Sequence, residues 1–87
     1  MTLRIGYKPA FLRSYKKLPP ALQMEVKERV ALFAAHPEHP SLRVHKLKGP
    51  LLKKWSFSVN YRYRIVFSYE NKSSAILYDV GDHSVYD

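Results

Sequence analysis

Cysteine is absent from this chain. That excludes a disulfide framework, a thiolate metal site and a thiol nucleophile, and a small domain without such staples is expected in the cytosol. Glycine is nearly absent too, with three residues in 87, and no Gly-rich phosphate loop can be built from them. Acidic residues are scarce, seven against fifteen lysines and arginines, for a formal charge of +8. No plausible carboxylate pair and no Ser-His-Asp set with triad character emerges. Long apolar runs are missing, so no stretch approaches transmembrane length. Met1 to Pro9 is too short and too polar to form the apolar core of a signal peptide. His36-Pro-Glu-His39-Pro offers two histidines, but they straddle a proline, share no helix face and have no third ligand nearby. A solvated loop is expected there, with no metal or other cofactor.

What is present is enough to fold. Hydrophobic residues make up 46% and aromatics 14% of the sequence, which points to one ordered domain over residues 1–87 with room for a single two-layer core. Its centre is Trp55 to Phe67 (W-S-F-S-V-N-Y-R-Y-R-I-V-F). Trp55, Phe57 and Val59 alternate with Ser56 and Ser58, the period of a half-buried strand. Asn60 suits a turn. Tyr63, Ile65 and Phe67 then alternate with Arg64, Val66 and Ser68. This is a β-hairpin with one apolar face and one face of hydroxyls around a lone guanidinium, Arg64.

Around the hairpin, Thr2 to Tyr7 alternates as a first strand. Pro9 opens a helix whose Phe11, Tyr15 and Leu18 form one stripe. Pro19-Pro20 stops it and starts a second helix, with Leu22, Val26, Val30 and Phe33 on one face, ended by Pro37 and Pro40. A short edge strand is expected at 43–47, then a turn at Gly49-Pro50. Ala75 to Gly81 is the last strand, with Ile76, Tyr78 and Val80 inward and Leu77 and Asp79 outward. The fold class is therefore α+β, in the order β-α-α-β-β-β: a twisted antiparallel sheet, a helical hairpin packed on one face, and the other face open.

The charge is uneven. Residues 1–54 hold twelve cations against three acids, while 55–87 hold three against four. Such a surface should attract a polyanion or an acidic protein; the plainer alternative is a basic protein with neither partner. Arg43, Lys46, Lys48, Lys53 and Lys54 form the densest basic stretch, and with Arg62 they are the candidate phosphate contacts. Arg64, His45, His83 and Tyr86 are the candidate reactive groups. Metal-free cleavage of RNA needs a proton removed from the 2′-hydroxyl, charge stabilised on phosphorus and the leaving 5′-oxygen protonated. Histidine and arginine suit those tasks, and tyrosine can stack on a base. Each residue also has a structural reading: Arg64 pairing with Asp79, His83 capping a carbonyl, Tyr86 as a core plug, His45 as plain surface.

H-K-L-K-G (His45–Gly49), Y-R-I-V-F (Tyr63–Phe67) and D-V-G-D-H-S-V-Y (Asp79–Tyr86), in this order on this plan, resemble the RelE/ParE superfamily of type II toxin–antitoxin modules over nearly the whole chain. The resemblance implies a cytoplasmic toxin that arrests growth by cutting mRNA in the ribosomal A site and is held inactive by a cognate antitoxin. It implies that Arg64 contacts the scissile phosphate, that Tyr86 stacks on mRNA or assists proton transfer, that His83 is a general acid, and that His45 matches a second histidine of YafQ-like members. RelE carries two lysines on the first hairpin strand; here Ser56 and Ser58 stand at those positions. Arg62 stands where YafQ-like members have an acid. ParE-like members share the fold, lack the RNase residues and inhibit DNA gyrase, which is the alternative function.

Overall fold

Proline sets the helical boundaries. In the computed structural model, which describes residues 2–47 and 54–82, α1 runs Pro9–Lys16 and α2 runs Pro20–Ala35, each with proline at its first turn. A missing N–H costs nothing there. Between them the chain turns tightly, with Leu18 N–H donating to the Tyr15 carbonyl at 3.1 Å. Gln23 reaches back from α2 and donates its side-chain amide to the same carbonyl at 3.0 Å, satisfying an end group that α1 leaves open. Past α2, Pro40–Leu42 forms one turn of 3-10 helix, where a plain loop was expected. His39 caps it by accepting the Ser41 N–H on Nδ1 at 3.2 Å.

The strands are β1 (Arg4–Tyr7), β2 (His45–Lys46), β3 (Trp55–Ser58), β4 (Arg64–Asn71) and β5 (Ser74–Gly81), arranged in the order β1-β5-β4-β3-β2. Strands β2 to β5 form an antiparallel meander, including the expected short edge strand. The sheet as a whole is mixed, because β1 pairs with β5 in parallel. Tight turns force antiparallel neighbours, but β1 and β5 are joined through the helices and the entire meander, so no turn constrains their direction.

The core lies between the helices and one face of the sheet. Phe33 from α2 stacks on Phe57 at 4.4 Å between ring centroids and meets Phe67 at 4.7 Å. Leu3, Phe11, Val26, Leu42, Val59, Ile65, Ala75, Leu77 and Val80 complete the buried cluster. Strand β5 departs from simple alternation. Val66 pairs with Asp79 but Phe67 pairs with Leu77, which leaves Tyr78 as an extra residue. This bulge reverses the phase of the strand. Leu77 and Ala75 are therefore inside, while Ile76 and Tyr78, expected inside, are only half-buried. Val80, beyond the bulge, points inward as expected. Among the described residues no helix is long and apolar enough to cross a membrane.

Candidate functional site

Cross-strand partners share a face, so the register assigns the side of the sheet opposite Phe57 and Ile65. One row across it is His45–Ser56–Val66–Asp79; the next is Ser58–Arg64–Gly81. Arg64 and His45 thus project from the same face, two strands and two residues apart. By strand spacing their Cα atoms are about 12 Å from one another, a gap that an arginine and a histidine reaching inward can narrow to the width of one phosphodiester. Lys46 pairs with Trp55 and so points to the opposite side. It does not join this group.

The face is not as open as alternation suggested. Ser56 is 0%, Val66 3% and Ser58 9% exposed, so its centre is closed, while His45, Arg64, Asp79 and Gly81 around it retain exposure. Among the described residues, Ser56 Oγ has no hydrogen-bond partner. Asp79 accepts from Ser14 Oγ of α1 at 2.5 Å and from the Val80 N–H at 2.9 Å. Lys54 Nζ lies 4.2 Å from the centre of the Tyr78 ring, with Lys8 Nζ at 5.7 Å, a cation–π arrangement. Arg62, on the turn, is exposed and sits 5.8 Å from the Tyr63 ring.

His45 is oriented by the backbone. Its Nδ1 lies 3.0 Å from the Arg43 carbonyl oxygen. A carbonyl can only accept, so Nδ1 carries the proton and Nε2 of the neutral ring presents a lone pair. The carbonyl is aimed by Arg43 itself, whose φ of 50° and ψ of 48° place it in the left-handed region, a costly position for a side chain with a Cβ.

Sequence reasoning missed a second feature. Arg29 of α2, Arg43 and Arg64 line one cleft of about 180 Å³ with Ser41, Ser58, Asn60 and Tyr61. Arg29 Nη1 donates to Ser41 Oγ at 2.8 Å, and Ser41 Oγ lies 2.9 Å from His39 Nδ1. No local signal pointed to Arg29, Ser41 or Tyr61, because the helix and the hairpin tip meet only in the folded chain. Two larger cavities exist among the described residues: one of about 530 Å³ bordered by Glu38, Arg43 and Tyr69, and an apolar groove of about 450 Å³ between β1, α1 and α2. The Tyr69 phenol is raised above its ordinary 10.0, first by burial and then by the charge of Glu38.

His83, Tyr86, Lys48 and Lys53 lie outside the described residues. No cluster of three potential metal ligands occurs among the described ones.

No family model matches the sequence, and no curated protein matches it. Solved structures do match in shape. YafQ from E. coli strain BL21(DE3) superposes with a TM-score of 0.78 at 13% identity, over 95% of this chain and 96% of that one. The YoeB/ParE toxin from Agrobacterium tumefaciens gives 0.76 at 12% identity, over 93% and 99%. The toxin–antitoxin complex RelBE2 from Mycobacterium tuberculosis gives 0.72 at 19% identity, over 95% and 100%. The fold of this chain is that of the RelE/ParE-like toxins.

Proposed function

We propose that this protein is the toxin of a type II toxin–antitoxin module and acts as a ribosome-dependent, metal-independent endoribonuclease in the cytoplasm. The observation that carries the reading is the shared face of Arg64 and His45, opposite Phe57 and Ile65, on a fold also found in YafQ, YoeB and RelE toxins. His45 Nε2 takes the proton of the 2′-hydroxyl. The 2′-oxygen bonds to phosphorus and the bond to the 5′-oxygen breaks. Arg64 stabilises the added negative charge with a bidentate fork. His83 protonates the 5′-oxygen and Tyr86 stacks on the flanking base. The products are a 2′,3′-cyclic phosphate and a 5′-hydroxyl. A cognate antitoxin with acidic or apolar segments covers the basic surface; RelBE2 from Mycobacterium tuberculosis is itself a toxin–antitoxin complex.

Induced expression should arrest growth and generate new transcript ends within open reading frames. Arg64→Ala should lower cleavage roughly hundredfold, the usual cost of one lost charge-stabilising donor, and relieve the arrest. If Arg64→Ala and His83→Ala both arrest growth as fully as wild type, the mechanism is wrong. One observation favours a second reading, inhibition of DNA gyrase: β3 carries buried Ser56 and Ser58 where a cation pair would serve RNA cleavage. Loss of supercoiling activity with intact mRNA would support it.

A further inference from the structure

We infer that the three-arginine cleft beside the hairpin tip is a nucleotide subsite, in which Arg29 and Arg43 take an RNA phosphate and Tyr61 stacks on the attached base. The ligand class rests on the ribonuclease reading; the geometry stands apart from it. The described lining includes arginines from α2, from the 3-10 cap and from β4 along with Ser41 and Ser58, and includes no carboxylate; Arg43 also borders the neighbouring cavity with Glu38. Converging cations with hydroxyl donors between them focus positive potential on one small volume. Two of the three are held in place. Arg29 is tied to Ser41, which is itself braced by His39, and this leaves the rest of its fork to meet an anion. Arg43 is fixed as the left-handed C-cap of the 3-10 turn, its N–H donating to the Pro40 carbonyl at 3.2 Å.

Size decides how the ligand divides. The cleft holds about 180 Å³, below the roughly 300–1,000 Å³ of a site that encloses a whole small molecule. A phosphoryl group fits and a nucleoside does not, so the base must lie outside. At the rim stands Tyr61, 90% exposed. An aromatic so fully exposed contributes little to folding, while base–aromatic stacking is the usual second half of single-strand recognition. The nearby acid is Glu25 of α2. It accepts from Asn60 Nδ2 at 2.7 Å and does not line the cleft, so Asn60 separates it from the bound phosphate.

The test uses full-length protein and a labelled trinucleotide RNA with 2′-O-methyl groups on every ribose, which cannot undergo 2′-hydroxyl attack, read by fluorescence anisotropy. Arg29→Gln should weaken binding roughly tenfold and reduce the salt slope by about 0.7, the value for one single-strand phosphate contact. Arg29→Lys should fall between. Tyr61→Ala should also cost roughly tenfold, as loss of one stacked base does, and Tyr61→Phe should bind as wild type. Pyrophosphate should bind Tyr61→Ala and wild type equally. If Arg29→Gln and Tyr61→Ala melt normally and bind the trinucleotide like wild type, the subsite is refuted. It is equally refuted if wild type ignores the trinucleotide and takes an acidic peptide in the cleft. Ribosome-dependent cleavage measured alongside separates the two proposals: variant-sensitive binding without cleavage sinks only the nuclease reading, and cleavage with variant-insensitive binding sinks only the subsite.

Discussion

The two faces of the sheet are built from the same strands to opposite specifications. Towards the helices, β3 and β4 present Phe57, Ile65 and Phe67, all completely buried, with Phe57 and Phe67 meeting the Phe33 ring at 4.4 and 4.7 Å. On the other side, the same two strands present Ser56, Ser58, Arg64 and Val66. One face buries large apolar area and so supplies most of the stability. The other contains small side chains, a charge and a hydroxyl that lacks a partner among the described residues, a composition that a core would not select. The large apolar side chains and the polar groups are thus separated by the thickness of one sheet. Solved structures at 12% and 19% identity retain the same shape.

That division can be broken most forcefully at Phe67. Truncation to alanine should cost about 3–5 kcal/mol, a large share of the roughly 5–15 kcal/mol expected for a whole domain; urea denaturation would register it, and a cost below about 1 kcal/mol would show that the covered face is not the source of stability. Ser56→Ala probes the opposite side. Removing a buried hydroxyl without a partner should raise stability by about 1 kcal/mol and leave growth arrest unchanged. A destabilised variant would mean that the far face contributes to the fold through that hydroxyl. The smallest effect is expected at the boundary. Tyr69 closes the edge of the covered face against Trp55 and Phe67 at 5.4 and 5.2 Å. Its phenol is raised by burial and by Glu38, so the unfolded chain releases this proton first. The contribution is complete below pH 10 and is lost as pH rises through the native value. Glu38→Gln should lower the midpoint of phenolate absorbance for Tyr69, and a midpoint at or below 10 in the parent would contradict the raised phenol.

Local chemistry made most elements readable. Pro9 and Pro20 stand where the helices begin, and the alternation from Trp55 to Phe67 anticipates β3, β4 and the turn at Asn60, whose side chain accepts the N–H groups of Arg62 and Tyr63 at 2.9 and 2.8 Å. What escaped was non-local. The extra residue at Tyr78 reverses the phase of β5 without any glycine or proline to mark it. The parallel pairing of β1 depends on the path of the whole chain. For the site, Arg64 and His45 stood out as a lone mid-strand cation and an imidazole in a basic segment. Arg29 looked like any cation on a helix surface until the 3-10 turn brought Ser41 against it.

The pairing of Arg4 with Ser74 has a consequence for the time course of synthesis. The first strand to leave the ribosome finds its neighbour only when the last strand follows. Bringing ends about 70 residues apart together from an unstructured chain would cost about 4 kcal/mol in loop entropy. The economical route forms the meander and the helical pair beforehand, shortening that loop, and docks the leading strand at the end. Until then its backbone edge stays unsatisfied and prone to pair with a stranger, so the nascent chain is at its most aggregation-prone just before β5 emerges.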